Sequence, residues 1–184
     1  LMRSSAASDV YKRQGYVSAN HNAVEDYVAF AVSTIDCRLD GMKIAVDCAN
    51  GASYETAFKA LNKLGANVEA IHNTPDGVNI NHMCGSTHME SLQAYVTSIG
   101  ADIGIAFDGD ADRMLAVDEN GKLIDGDQIM AACAKFMRDN GTLKQNTLVA
   151  TVMSNLGLFM AGEKIGINIP RTKVGDRYVL EEML

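Results

Sequence analysis

Apolar residues recur with two different periods along the chain, and the alternation between these periods predicts an α/β fold. Residues 21–39 place apolar side chains three or four apart, which is the spacing of an amphipathic helix. Residues 43–48 form a short apolar run typical of a buried strand, a helix is predicted over about 54–64, and residues 67–71 form the next strand. Strand, helix and strand in this order make a βαβ unit with parallel strands.

The same alternation continues to the last residue. A helix ending at Ile99 is predicted to start behind Thr87 as its cap, with Glu90 completing a capping box. A third strand over 102–107 is followed by a hairpin of strands 114–118 and 122–124 around an Asn-Gly turn. The pattern then gives a helix over 127–138, a strand over 147–152, a helix over 156–162, a strand over 168–172 and a helix beginning at Asp176.

These elements predict an α/β protein built of three-layer αβα units with mixed, mainly parallel sheets. The second unit begins near Asp127 and consists of one βαβ pattern followed by a short helix. We therefore expect the second unit to be truncated. The turn Asn50-Gly51 follows the first strand, where α/β sheets bind ligands, although an Asn-Gly pair more often only satisfies a turn.

The residues with the clearest chemistry are three aspartates in the segment DGDADR, residues 108–113. Asp108, Asp110 and Asp112 alternate with small residues directly after the third predicted strand, so a gently curved loop brings them to the same side. Hard oxygen ligands in this number suit Mg²⁺ or Ca²⁺. Arg113 follows at once, which indicates that an anion belongs to the same site. Phosphate on a divalent metal is the leading hypothesis.

Two other interpretations of this segment stay open from the residues alone. An acidic turn between two strands is often only a solvated hairpin. The three aspartates also fall at positions one, three and five of an EF-hand calcium loop, with Glu119 at position twelve. However, Arg113 occupies the sixth position, where the EF-hand turn requires glycine, and the flanking runs are typical of strands and not of helices.

Composition and charge restrict the class of protein. The hydrophobic content of 47% is ordinary for a globular protein, and the formal charge of −7 argues against a nucleic-acid partner. No apolar run is long enough for a membrane span and no signal segment opens the sequence, so a cytoplasmic protein with no membrane partner is expected. Residues 1–14 share no pattern with the rest, and we interpret them as a non-native or disordered tail.

The cysteines and histidines do not form a recognisable metal signature. Cys37, Cys48, Cys84 and Cys133 contain no CxxC pair, so they are expected to be reduced thiols, most of them buried. The long connection over 73–88 (NTPDGVNINHMCGSTH) is of a length typical of functional or interface loops, yet its histidines match no zinc spacing.

Several segments resemble one family in the same order along the chain. FDGDADR between two short strands resembles the metal-binding loop of the α-D-phosphohexomutase superfamily. GMKIAVDCANGAS, GVNINHMCGSTH, IGIAFDGDADRMLAVDENG, DGDQIM, MSNLGL and TKVGDRYVLE extend the resemblance over most of the chain. CGSTH and KVGDRYV together resemble the glucosamine branch of that superfamily.

The resemblance implies a particular domain organisation. Members of this superfamily have four domains around one cleft, and residues 15–126 resemble the second domain with its metal loop, while 127–184 resemble the beginning of the third. The first domain carries the catalytic phosphoserine and the fourth binds phosphate, and neither is matched here. No catalytic residue is therefore assigned in this chain, and domains I and IV of the same protein are its expected partners.

The resemblance also implies a reaction and its residues. Glucosamine 6-phosphate and glucosamine 1-phosphate would be interconverted through a phosphoserine enzyme and Mg²⁺, in the synthesis of cell-wall precursors. Asp108, Asp110 and Asp112 would hold Mg²⁺, and Arg113 would lie beside the transferring phosphate. Lys173 and the Gly175-Asp176 turn resemble a segment that faces the phosphosugar substrate. The chain alone is expected to be inactive.

Three alternatives to this function remain at the level of sequence. The chain could belong to another phosphohexomutase that acts on mannose or glucose phosphates, because the sugar-reading loop is not matched. A non-catalytic Ca²⁺-binding α/β module would bind metal without any phosphosugar. A non-catalytic α/β scaffold would bind neither.

Overall fold

The first unit of the fold is a five-stranded sheet between helices. The computed structural model describes residues 17–184, so the tail predicted over residues 1–14 lies outside the described part of the chain. The elements of this unit are α1 (Ala23–Ser33), β1 (Lys43–Asp47), α2 (Thr56–Lys63), β2 (Asn67–Ile71), α3 (Glu90–Ile99), β3 (Ile103–Phe107), β4 (Met114–Asp118) and β5 (Leu123–Ile124).

The strand order of the sheet is β2-β1-β3-β4-β5. β1 is parallel to both β2 and β3, whereas β4 and β5 are antiparallel to their neighbours. The register pairs Asp47, the last residue of β1, with Ile71 on one side and Ala106 on the other. The carboxyl ends of three parallel strands therefore meet at one edge of the sheet, which confirms the predicted mixed and mainly parallel sheet.

Helices cover both faces of this sheet and make the three layers. On one face, Leu92 and Val96 of α3 are fully buried against Ala106 and Val117. The helix can approach closely because β3 carries Gly104 at the contact, where an added Cβ would lie 2.5 Å from Val96 Cγ2. On the other face, α2 packs against a second core cluster that consists of Ile44, Val46, Cys48, Ala66 and Val68.

The second unit is smaller. It consists of α4 (Gly126–Asp139), β6 (Ala150–Thr151), α5 (Leu156–Ile165), β7 (Arg171–Thr172) and α6 (Asp176–Met183), with β6 and β7 parallel. The strands are shorter than predicted because Pro170 has no N–H group to donate to its neighbour. The Leu148 N–H still donates to Asn168 O, but residue 170 cannot donate back to the neighbouring strand. Before Ala150, the pairing of the two strands is therefore reduced to an isolated bridge between Thr147 and Asn168.

Helix starts show where local sequence rules succeed and where they fail. The predicted cap Thr87 is wrong, because it ends a 3₁₀ turn (Gly85–Thr87) and no side chain caps α3. In contrast, Asp125 and Gln128 form a complete capping box at the start of α4, a helix for which no cap was predicted. Among residues 17–184, no helix has the length and apolar character needed to cross a membrane.

The four cysteines divide into two exposed and two buried thiols. Cys37 and Cys133 are exposed, whereas Cys48 and Cys84 are fully buried. Burial, assisted by the charge of Asp47, raises the pKa of Cys48 to about 11 and also raises the pKa of the Cys84 thiol. Since the thiolate is the reactive form, both buried thiols are doubly protected.

Titration of the native chain with Ellman's reagent at pH 8 should therefore label Cys37 and Cys133 quickly. Cys48 and Cys84 should react at least about a hundredfold more slowly, because reaction requires opening of the sheet. Mass spectrometry of tryptic peptides identifies the labelled positions, and the protein in urea, where all four thiols react, is the control. Equal labelling of all four thiols in the native chain would contradict the described core.

Candidate metal centre

The acidic loop connects β3 to β4 at the edge where the parallel strands end. β3 stops at Phe107 and β4 starts at Met114, so residues 108–113 form the loop. The Asp108 N–H donates to Arg113 O at 3.3 Å, and the Asp108 carbonyl oxygen accepts from the Ala111 N–H at 3.1 Å. Strands flank the loop on both sides, whereas an EF-hand requires helices there. The structure therefore contradicts the EF-hand alternative.

Asp108 is the buried member of the triplet and is tied to Arg113. Its side chain is almost completely inaccessible, and its two oxygens accept from the Arg113 backbone N–H at 3.1 Å and from Arg113 Nε at 2.9 Å. Arg113 Nη2 lies 2.8 Å from the same carboxylate. Burial acts to raise the pKa of Asp108, but the hydrogen bonds and charge of Arg113 outweigh burial and hold it below the ordinary value. Asp108 is thus ionised and fixed in place.

Asp110 and Asp112 are exposed, and the structure brings them together with Asp108. Oxygens of the three carboxylates lie within 4.8 Å of one another. Partial desolvation and the negative charges of Asp110 and Asp108 raise the pKa of Asp112 above its ordinary value, although Arg113 Nε lies 3.4 Å from its carboxylate. The three charges therefore repel one another, and a divalent cation between them would relieve this repulsion. The donor set is all oxygen, which fits Mg²⁺ or Ca²⁺.

The loop is braced from behind by the turn that follows β1. The Ala52 N–H donates to the carbonyl oxygen of Gly109 at 2.8 Å. Gly51 permits this contact, because a Cβ at that position would lie 2.3 Å from the same carbonyl oxygen. A Cβ at Gly109 would in turn lie 2.6 Å from Asn81 Nδ2. The Asn50-Gly51 turn, which sequence alone left ambiguous, is therefore in direct contact with the acidic loop.

Backbone strain is concentrated around the same loop. Six residues other than glycine have positive φ here, a conformation that costs about 1–2 kcal/mol for most side chains and less for asparagine. They lie in the acidic loop itself, in the turn after β1 and in the segments after β2: Ala49, Asn50, His72, Asn81, Met83 and Ala111. The surrounding hydrogen bonds must offset this cost, which is a feature typical of functional loops.

The remaining predicted residues lie in the second unit. Lys173 follows β7 at the carboxyl end of the short parallel pair, and its ammonium is 5.6 Å from the ring of Tyr178. Gly175 has φ 136° and precedes α6, whose first residue is the exposed Asp176. Within the described residues, no hydrogen bond or ion pair joins Lys173 or Asp176 to the acidic loop.

Sequence families match both units of the chain. Residues 22–121 match phosphoglucomutase/phosphomannomutase, alpha/beta/alpha domain II, and residues 125–184 match alpha/beta/alpha domain III of the same proteins. Together with the sheet and the acidic loop, these matches define the class as the alpha/beta/alpha domains of phosphosugar mutases. The chain belongs to the phosphoglucomutase/phosphomannomutase family.

Two curated relatives with high identity to this chain are phosphoglucosamine mutases. The chain is 60% identical over 170 residues to a phosphoglucosamine mutase of Ruminiclostridium cellulolyticum, which covers 92% of this chain and 38% of the relative. It is 62% identical over 163 residues to a phosphoglucosamine mutase of Clostridium novyi, covering 89% of this chain and 36% of the relative. The chain is thus a homologue of phosphoglucosamine mutases that spans little more than a third of their length.

Solved structures support the same fold. A phosphoglucomutase/phosphomannomutase family protein from Burkholderia thailandensis superposes with a TM-score of 0.73 at 25% identity, over 99% of this chain and 42% of its own. An N-acetylglucosamine-phosphate mutase superposes with a TM-score of 0.63 at 19% identity, over 89% of this chain and 39% of its own. At that identity the second likeness shows the fold alone.

Proposed function

We propose that this chain contributes the metal loop and part of the substrate surface of a phosphoglucosamine mutase. The observation that carries this proposal is the intact cluster of Asp108, Asp110 and Asp112, with Arg113 beside it, in a chain about 60% identical to phosphoglucosamine mutases. The whole enzyme would interconvert glucosamine 6-phosphate and glucosamine 1-phosphate, and its further domains would supply the phosphoserine. This chain alone would be inactive.

The three aspartates are the residues that would hold Mg²⁺. They fit a hard divalent ion because their oxygens converge within 4.8 Å and because desolvation and the neighbouring carboxylates raise the pKa of Asp112, an effect that a cation would oppose. A bound Mg²⁺ would supply Lewis-acid neutralisation of charge on a phosphoryl oxygen. Asp108, which is buried and held by Arg113, would keep its orientation before and after the ion binds.

Arg113 is placed to bind phosphate. Its side chain is 73% exposed, although Nε and Nη2 are directed at Asp108. The Nη1 group makes no hydrogen bond or ion pair with any of residues 17–184, so it is free to donate to a phosphate oxygen. A guanidinium that is held on one edge and free on the other can orient an anion without losing its own position. Arg113 would thus position the transferring phosphate next to the metal.

Lys173, Gly175 and Asp176 would form the substrate contact of the second unit. Lys173 and Asp176 are exposed and follow a parallel strand pair, which is the edge where α/β sheets bind ligands. The Lys173 ammonium would contact a substrate phosphate or hydroxyl as a flexible point charge. Gly175 would give the backbone the turn that precedes α6. We also propose that the two domains divide between residues 126 and 127.

A chimera tests the proposed reaction directly. The segment of the Clostridium novyi phosphoglucosamine mutase that matches this chain is replaced by the corresponding residues of this chain. We expect the chimera to convert glucosamine 6-phosphate to glucosamine 1-phosphate, since 62% identity preserves the buried cores that hold the domains. The product is followed by phosphorus NMR, and mannose and glucose 6-phosphates are tested in parallel.

The same chimera with Asp110→Asn is the matched control and should lose nearly all turnover. Faster conversion of mannose or glucose phosphate than of glucosamine phosphate would transfer the proposal to another phosphohexomutase. A folded chimera that binds Mg²⁺ but converts none of the three sugars would contradict the enzymatic proposal.

A further inference from the structure

Asp47 is a fully buried carboxylate at the end of β1, an interior strand of the sheet. Its Oδ1 accepts the Ala49 N–H at 2.9 Å. Its Oδ2 accepts the Gly85 N–H at 2.9 Å and lies 2.9 Å from His72 Nδ1. The Asp47 carboxylate therefore forms hydrogen bonds with three segments of the chain: the turn after β1, the residue after β2 and the long connection before α3. None of the features proposed for the mutase reaction uses this residue.

Asp47, His72 and Cys84 also bring three donor atoms within 4.8 Å of one another, which raises the question of a second metal site. The hydrogen bonds of Asp47 explain the cluster without a metal. Oδ1 of Asp47 accepts one N–H, and Oδ2 accepts a second N–H and faces His72 Nδ1, so these hydrogen bonds account for the position of both oxygens without an ion. Burial raises the pKa of the Cys84 thiol, which favours its protonated form in this cluster. The cluster is a hydrogen-bond centre.

Two of the three segments that Asp47 binds lie next to the acidic loop: the turn after β1 contacts the loop, and Gly85 contacts the end of the strand that leads into it. The turn that begins at Ala49 continues to Ala52, whose N–H binds Gly109 O at 2.8 Å. Gly85 lies against the strand just before the loop, because a Cβ there would be 2.5 Å from Phe107 O and 2.6 Å from Ala49 Cβ. The Asn81 N–H donates to Ala49 O at 2.9 Å. The wall behind the acidic loop is thus assembled around Asp47.

We propose that Asp47 is a positioning residue for the metal loop, acting with His72 through the turn 48–52 and through Gly85. The inference rests on the proposed metal site at Asp108, Asp110 and Asp112. The Asp47 carboxylate makes no hydrogen bond or ion pair with any of these aspartates. It sets where the carbonyl of Gly109 lies, and therefore how closely the three carboxylates converge. Strained turns at Ala49 and His72 stay in place because Asp47 binds both segments.

The test measures binding of Mn²⁺, a spectroscopic substitute for Mg²⁺, to the 184-residue chain by electron paramagnetic resonance. Asp47→Asn places an N–H₂ group where the wild type has an acceptor, so it must lose one of the three bonds. We expect its Mn²⁺ affinity to fall about tenfold, the size typical of groups that orient metal ligands. Asp36→Asn removes the same charge from an exposed position and should bind as the wild type does.

His72 provides a second pair of variants, which keeps the test decisive if Asp47→Asn does not fold. His72→Asn retains an N–H donor toward Asp47 and tolerates positive φ, so its affinity should stay within about twofold of the wild type. His72→Ala removes the donor and should weaken Mn²⁺ binding about tenfold. Circular dichroism and thermal unfolding confirm that the compared variants are folded.

The outcomes separate this inference from the proposed function. If the wild type shows no Mn²⁺ binding that Asp110→Asn removes, the proposed metal site fails. If the wild type binds and the folded Asp47→Asn and His72→Ala variants bind equally well, the metal site stands and the positioning role is overturned. A loss in both His72 variants alike would likewise overturn it, because the donor that Asn restores would then be irrelevant.

Discussion

The Asp110→Asn variant is expected to bind Mg²⁺ about a hundredfold more weakly than the wild type, yet to unfold at nearly the same temperature. Asp110 is exposed and forms no hydrogen bond or ion pair with any other described residue. The substitution therefore removes one negative ligand from the proposed site without breaking an internal contact. Ligand charge largely sets the affinity for hard cations, and even groups that only orient ligands are worth ten- to a hundredfold.

Isothermal calorimetry with and without inorganic phosphate measures this effect. In the wild type, phosphate should strengthen Mg²⁺ binding, because Arg113 offers an anion a donor next to the ion. In Asp110→Asn this coupling should disappear along with the affinity. Asp36→Asn, with the same loss of charge at an exposed position, should retain both. Unchanged Mg²⁺ affinity in Asp110→Asn would contradict the assignment of the loop, and tight Ca²⁺-selective binding without phosphate dependence would favour a calcium module.

The Gly85→Ala variant is expected to lose about 3–4 kcal/mol of the free energy of unfolding, the largest loss of stability that we predict. Gly85 has φ 72°, which costs a residue with a side chain about 1–2 kcal/mol. In addition, the new Cβ would lie 2.5 Å from the backbone oxygen of Phe107, and a backbone atom in a buried sheet cannot move aside cheaply. Overpacking of this kind adds about 1–3 kcal/mol.

Gly77→Ala is the matched control, because Gly77 also has positive φ but would meet no atom within 4 Å. It should lose only the backbone cost of about 1–2 kcal/mol. Urea unfolding followed by circular dichroism gives both values. The difference between the two losses of unfolding free energy measures the cost of the close approach of residue 85 to Phe107. Equal losses would show that this approach does not affect stability.

The sequence was sufficient for the strands of the first unit and for the acidic triplet, because both depend on short-range patterns. The strand predicted over residues 67–71 agrees with β2 (Asn67–Ile71), and the three aspartates lie together as an alternating period requires. The period of apolar residues indicates which face of a strand or helix is buried. A loop of six residues allows few positions for its side chains.

The sequence was insufficient where the outcome depended on a partner far along the chain. Thr87 has the residue type of a cap, but the Gly85 N–H is bound to Asp47, and the chain turns there before α3 begins. Strands β6 and β7 are shorter than their apolar runs because pairing depends on whether residue 170 can donate. The first case was decided by a hydrogen bond that crosses the fold, and the second by an inter-strand hydrogen bond that Pro170 cannot make.

The residues behind the acidic loop could not be predicted from the sequence either, because their hydrogen bonds join distant parts of the chain. Asp47 looks like the last residue of a strand, and His72 looks like an isolated histidine in a polar connection. Their pairing spans 25 positions, and the bond from Asp47 to Gly85 spans 38. No local period relates such residues. The Asn50-Gly51 turn was noticed only because it follows a parallel strand.

The close contact between Gly51 and Gly109 limits how the acidic loop can be transplanted into another protein. A graft of residues 108–113 alone would carry every proposed ligand but none of the wall that shapes them. A recipient would need a glycine facing the loop, an N–H at the position of Ala52 and a buried acceptor at the position of Asp47. The transferable unit is therefore the whole edge of the sheet, from the end of β1 to the start of β4.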